Sequence, residues 1–190
     1  MLNIKIILGS TREGCFGEKP ALWIFEETKK IKGVEAELID LRDYPLPFFN
    51  EAASPAMNKG IYSNEVAGKL AKKIGDADGF IIATPEYNHG YPAVLKNAMD
   101  FIYSEWNKKP VGFVSWGGVA GARSVEQLRE VSIELQMAPI RNAVHIHNFW
   151  TLIDEKGSFK TESLQKNADD FLSQLIWWAE ALKAARNSTS

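Results

Sequence analysis

Five short apolar runs alternate with longer segments of helical period, and no other feature of this chain restricts its fold so strongly. The runs are Ile4 to Leu8, Ala36 to Ile39, Gly79 to Ala83, Val111 to Ser115 and Ala143 to Ile146. Phe80-Ile81-Ile82-Ala83 and Val111-Gly112-Phe113-Val114 are continuous rather than alternating, the pattern of parallel strands covered on both faces. Between the runs, Ala21, Ile24, Phe25, Thr28 and Ile31 form one helical stripe that opens after Pro20 and stops at Gly33. Ala67, Leu70, Ala71 and Ile74 mark a second helix, Leu95, Ala98, Met99 and Ile102 a third, and Val125, Leu128, Ser132 and Leu135 a fourth. A last helix carries Leu164, Ala168, Phe171, Leu172, Leu175, Ala179 and Leu182. Strand and helix repeated five times, joined by right-handed crossovers, predict an α/β fold with an open, doubly wound parallel sheet.

With 190 residues, the chain is expected to form a single domain over residues 1–186, followed by a disordered tail at 187–190. Residues 43–60, with Pro45, Pro47 and Pro55, have neither period and read as a long loop, either a lid or a connection. The charge balance of 22 basic against 24 acidic residues leaves no electrostatic footprint for nucleic acid or an anionic membrane. One cysteine cannot form an internal disulfide or a thiolate metal site, and the three histidines lack paired-ligand spacing, so no metal is expected. The N-terminus lacks a secretory pattern and no apolar stretch reaches membrane-spanning length, which predicts a cytoplasmic protein.

In an open α/β sheet, ligands sit beyond the carboxyl ends of the strands, so the loops that follow the strands carry the chemistry. After the first strand, Gly9-Ser10-Thr11-Arg12-Glu13-Gly14-Cys15-Phe16-Gly17 runs into a helix N-terminus. Hydroxyls, flexible glycines, free N–H groups and a guanidinium suit a phosphate there, although a glycine-softened turn with a surface arginine satisfies the same residues. The loop is neither GxxxxGK[ST] nor GxGxxG, which argues against a P-loop triphosphatase and against the usual dinucleotide cradle. After the third strand, Thr84-Pro85-Glu86-Tyr87-Asn88-His89-Gly90-Tyr91-Pro92 is stiff enough to present polar groups to a planar heterocycle, or simply to cover the core. Glu86 reads as an anion at a helix N-terminus rather than an acid catalyst. After the fourth strand, Ser115-Trp116-Gly117-Gly118-Val119-Ala120-Gly121-Ala122-Arg123 permits close backbone approach to a flat ligand, with Trp116 stacking beside it. One loop for a phosphate and two for a ring, on one rim, describe flavin mononucleotide (FMN).

The pattern Gly9-Ser10-x-Arg12, then Pro85-Glu86-Tyr87-Asn88 with Pro92 and Leu95-Lys96-Asn97-Ala98-x-Asp100, then Ser115 with Gly117-Gly118, resembles the NADPH-dependent FMN reductases. The segment Leu175 to Leu182 also looks like theirs. The resemblance implies a flavodoxin-like, three-layer fold with five strands in the order 2-1-3-4-5. It implies that Ser10, Arg12 and the turn Cys15, Phe16 and Gly17 hold the FMN phosphate. Pro85, Glu86, Tyr87 and Asn88, with Ser115, Trp116, Gly117 and Gly118, would hold the ribityl chain and the isoalloxazine. Relatives commonly read Ser-x-Asn where this chain has Cys15-Phe16-Gly17, so two side-chain donors are missing and backbone N–H groups must do more. Family members are similar in working as dimers or tetramers, and Tyr91 to Trp106 is the expected contact.

The activity implied is transfer of a hydride from NADPH or NADH to FMN and then of electrons to a quinone, an azo compound, free flavin or a metal oxyanion. No catalytic side chain is required for the first step. His89 and Arg123 are the candidates for touching nicotinamide or acceptor, His89 having a structural reading as well. An electron-carrying flavodoxin or a redox-sensing flavin module is the alternative, against which stand the near-neutral charge and Arg12 in the phosphate loop. Cys15, at a helix N-terminus beside Arg12, is expected to favour its thiolate and to be open to oxidation.

Overall fold

The computed structural model describes the whole chain except Cys15, Lys59, Thr189 and Ser190. Its five strands are β1 (Leu2–Leu8), β2 (Val34–Asp40), β3 (Gly79–Pro85), β4 (Pro110–Trp116) and β5 (Ala138–Ile146). All neighbours pair in parallel in the order β2-β1-β3-β4-β5. Every residue of β3 and β4 is buried, which accounts for their unbroken apolar runs. The edge strands β2 and β5 are only partly covered and carry polar residues between apolar ones.

The helices are α1 (Glu18–Lys29), α2 (Glu65–Gly75), α3 (Ala93–Asp100), α4 (Ala122–Glu134) and α5 (Gln165–Ser188). Successive strand residues point to opposite faces, so the sheet supports two cores. On one face Ile7, Phe80, Ile82 and Phe113 meet Leu70 and Ile74 of α2, Leu95 and Met99 of α3, and Leu128 of α4. On the other, Ile6, Ile81 and Val114 meet Ile24 of α1 and Phe171 and Leu175 of α5. Each such side chain contributes about 1.5 to 3 kcal/mol by leaving water. The layers and the strand order are those the resemblance implies. Helix α1 begins two residues before Pro20, because a proline in the first turn forfeits no helical hydrogen bond. Helix α5 continues through Asn187 and Ser188, which corrects the expectation of disorder there. Among the described residues, no helix is long and apolar enough to cross a membrane.

Two connections bear on the site. The long segment after β2 is pinned to α3: the Phe49 N–H donates to Asn97 Oδ1 at 2.9 Å, and Asn97 Nδ2 donates to the Pro47 carbonyl at 2.8 Å. The motif Leu95 to Asp100 thereby has mainly structural duties, with Leu95 and Ala98 in the core and Lys96 paired to Asp100 at 2.7 Å. After β5 the chain makes a 3-10 turn at Phe149–Leu152 and a small antiparallel bridge between Ile153 and Phe159, a feature absent from the sequence expectations.

At the opposite end of the strands, Asp78, just before β3, fastens α5. Its carboxylate accepts from the Asn3 N–H at 2.9 Å, from Lys183 Nζ at 2.6 Å and from Arg186 at 2.9 Å. Burial alone would raise the carboxyl's pKa, but the bonds from Lys183 and Asn3 and the nearby charge of Arg186 hold it below its usual 3.8. The folded state therefore gains from this group above that pH and loses the gain as pH falls through the lowered value. Asp78→Ala is expected to lower the free energy of unfolding at pH 7 by about 2 to 3 kcal/mol, measured by urea denaturation. A change below about 0.5 kcal/mol would show that α5 is held by its apolar face alone.

Candidate active site

The pairing of β1 with β3 and of β3 with β4 brings the ends of three strands together. Leu8 lies beside Ala83, Thr84 beside Ser115 and Pro85 beside Trp116. The loops that follow are therefore neighbours at the carboxyl rim, where the winding direction reverses.

In the first loop, the Gly9 N–H extends the sheet to the Ala83 carbonyl at 2.9 Å. Ser10 is buried, and its hydroxyl lies 2.8 Å from the Tyr87 hydroxyl while accepting from the Arg12 N–H at 3.3 Å. The exposed Arg12 guanidinium lies 5.9 Å from the centre of the Tyr87 ring. Among the described residues no carboxylate pairs with it. Gly17 precedes α1; in the first turn Pro20 has no N–H and the Lys19 N–H donates to the Phe16 carbonyl at 3.0 Å, so among the described residues the Glu18 N–H is the first-turn donor left for an anion. The Phe16 ring is turned toward Trp116, Phe149 and Phe159. Cys15 lies outside the described residues.

The second loop is a two-residue hairpin. The Tyr87 N–H donates to the Gly90 carbonyl at 2.8 Å and the Gly90 N–H returns to Tyr87 at 3.1 Å. Asn88 (φ 51°) and His89 (φ 70°) both occupy the left-handed region that such a turn demands. Glu86 ties this hairpin to the third loop. Its N–H donates to the Trp116 carbonyl at 2.9 Å. Its buried carboxylate accepts from the Arg123 N–H at 3.2 Å and pairs with Arg123 Nε at 2.8 Å. This is the helix N-terminal anion expected of Glu86, and the helix is α4. The same guanidinium hydrogen-bonds His89 Nε2, and Gln127 Nε2 donates to the His89 carbonyl at 3.0 Å. His89 and Arg123 thus meet at one place, and Pro85 is fixed by the Ser124 hydroxyl on its carbonyl at 3.0 Å.

In the third loop, the Trp116 indole is buried among apolar side chains, 6.0 Å from Phe16. That corrects the expectation that it stacks beside a flat ligand. Ser115 also faces inward. Its hydroxyl donates to the Ala120 carbonyl at 2.8 Å and lies 2.9 Å from His145 Nδ1. What the loop offers the rim is backbone at Gly117 and Gly118, with open space where a Gly118 side chain would be. Gly121 (φ 76°) permits the return into α4, since a Cβ there would lie 2.6 Å from that of Ser115.

His145, Phe149 and Phe159 are the residues of this region that the sequence reading misses. His145 stands at an alternate position of β5 directly behind Ser115, and that spacing was the available signal. Burial, first, and then the charge of Arg129 lower its pKa, against a hydrogen bond to the Ala120 carbonyl that raises it. As pH falls through 6.5 the unfolded chain takes up a proton that the folded chain refuses, so stability declines on the acid side. Urea denaturation between pH 7.5 and 5.5 is expected to show this decline, reduced in His145→Gln. An identical decline in both proteins would assign it elsewhere.

A family model described as NADPH-dependent FMN reductase matches residues 2–151. An NAD(P)H-dependent FMN reductase of Schizosaccharomyces pombe is 39% identical over 144 residues, covering 75% of this chain and 72% of its own. A 2-hydroxy-1,4-benzoquinone reductase of a Burkholderia species is 27% identical over 192 residues, covering 93% and 96%. Among solved structures, the flavoenzyme NAD(P)H:(acceptor) oxidoreductase of Paracoccus denitrificans superposes with a TM-score of 0.74 at 21% identity. It spans 95% of this chain and 98% of its own, a likeness of fold.

Proposed function

Because the chain belongs to the NADPH-dependent FMN reductase family of oxidoreductases, we propose that it reduces quinones with NADPH or NADH through FMN held at the carboxyl rim. The observation that carries this reading is the junction of the three loops, locked by the Ser10–Tyr87 bond on one side and the Glu86–Arg123 pair on the other. The donor set suits FMN. Arg12, with no carboxylate partner among the described residues, and the Glu18 N–H at the start of α1 suit a phosphate. The open backbone at Gly118 and the stiff Tyr87–Gly90 hairpin suit a flat ring.

When bound, FMN supplies the redox chemistry, accepting a hydride from the nicotinamide and passing two electrons on. The protein's part is binding and orientation. Arg12 and the Glu18 N–H at the start of α1 would hold the phosphate, and Pro85 to Asn88 would border the ring. Backbone N–H groups at Gly117 and Gly118 would serve as donors of the kind that favour developing negative charge on the ring. Arg123 and His89 stand beside the ring site, where nicotinamide and acceptor would take turns. Arg123 remains partly exposed even while paired with Glu86, so its charge is available to an incoming anion. Overall, one NAD(P)H and one proton convert a quinone to its hydroquinone. The acceptor class is taken from the benzoquinone reductase relative, which matches this chain over nearly its whole length.

Initial rates with NADPH and a benzoquinone, both varied, are expected to give the parallel reciprocal plots of a two-stage exchange. Intersecting plots would contradict a shared site used in turn. Arg12→Ala should weaken FMN binding by about 1.5 to 3 kcal/mol, the worth of a charge-assisted contact, as read from quenching of flavin fluorescence. Unchanged affinity would put the phosphate elsewhere.

A further inference from the structure

In the first loop Phe16 is held by aromatic rings. Phe16 lies 4.8 Å from Phe149, 5.4 Å from Phe159 and 6.0 Å from Trp116, centre to centre. Phe159 also meets Trp23 of α1 at 6.0 Å, edge to face. Phe149 and Phe159 come from the excursion after β5, and Phe159 lies beyond residues 2–151, the part that matches the family model. The excursion is itself ordered. Asp154 Oδ1 accepts from the N–H groups of Lys156 at 2.9 Å and Ser158 at 2.7 Å, and the Lys160 N–H donates to the Leu152 carbonyl at 2.8 Å. Lys19, in the first turn of α1, donates to the Gly157 carbonyl at 2.6 Å and so ties the hairpin to the helix whose N-terminus ends the loop.

We propose that this clasp, with Phe16 gripped between Phe149 and Phe159, fixes the end of the loop where Phe16 and Gly17 enter α1, and that Phe159 and the hairpin turn at Asp154 are positioning residues for the FMN phosphate. The inference rests on the reading that the FMN phosphate sits at this loop. Its physical basis is the geometry of backbone donors. A side-chain hydroxyl can swing to meet a phosphate oxygen, whereas a backbone N–H points wherever φ and ψ put it. Where a phosphate is met by backbone N–H groups, they contribute fully only if that backbone is fixed before the ligand arrives. Ordering one residue at the moment of binding is worth about tenfold in affinity. The apolar clasp does this ordering in advance, without using any polar group the phosphate needs.

Riboflavin, which has the ring and ribityl chain but no phosphate, separates positioning from general damage. The flavin-free protein, its Phe159→Ala variant and its Asp154→Ala variant would each be titrated with FMN and with riboflavin by fluorescence quenching. The wild type should prefer FMN. Both variants should lose about tenfold in FMN affinity while keeping that for riboflavin, and Asp154→Asn, which retains the acceptor, should restore it. Asp154→Ala removes a negative charge near the site, which on electrostatic grounds alone would strengthen phosphate binding, so a loss there reports the hairpin. If Phe159→Ala does not fold, Asp154→Ala carries the test. Retention of the FMN preference in the variants overturns the clasp, as does an equal loss for both flavins. Equal affinity of the wild type for FMN and riboflavin would instead overturn the placement of the phosphate.

Discussion

The position of β1 between β2 and β3 governs the architecture of this chain. Once β1 pairs in parallel on both sides, the next crossover must run to the opposite face, and α1 and α2 are driven onto different layers. The loops after β1 and β3 then diverge above and below the sheet at their shared boundary and leave a crevice between them. The pairing is held in register by burial. A slip of one residue would turn Ile4 and Ile6 to the opposite face and expel both from the core that α1 and α5 cover. The site is thus a consequence of how the core closes.

Above that frame, the rim is organised to be stiff. The Tyr87–Gly90 hairpin, the Glu86 pair with Arg123 and the Ser115–Ala120 bond consume the polar groups that would otherwise let the loops wander. Several residues that look like ligands in sequence are spent this way. Glu86 and Ser115 satisfy the protein's own backbone, and Trp116 fills the core beneath Phe16. Backbone at Gly117 and Gly118 and the guanidinium of Arg12 are not spent in this way. A pre-ordered surface of this kind binds a planar cofactor with little loss of freedom.

Much of the fold was legible because it depends on period and burial. The continuous runs at Phe80 to Ala83 and Val111 to Val114 are the central strands, and the stripes through Leu70 and Ile74 or Leu95 and Met99 are the buried helix faces. The positions of the loops were legible for the same reason, since they follow from where strands end. The direction of individual side chains was not. Whether Trp116 faces a ligand or the core depends on Phe16, Phe149 and Phe159, which lie in two other segments. The role of His145 depends on the turn from Gly117 to Gly121 that sets the Ala120 carbonyl beneath it. The excursion after β5 has no helical or alternating period, and its rings signal only through contacts remote in sequence.

The central claim is that these three loops form one site where FMN binds and a nicotinamide reaches it. Titrating the flavin-free chain with FMN and then adding NADPH under anaerobic conditions tests that claim most directly. The account predicts stoichiometric binding at micromolar FMN, followed by bleaching of the visible flavin absorption well within a minute. An absence of binding at micromolar FMN, or a bound flavin that NADPH leaves oxidised, would contradict it.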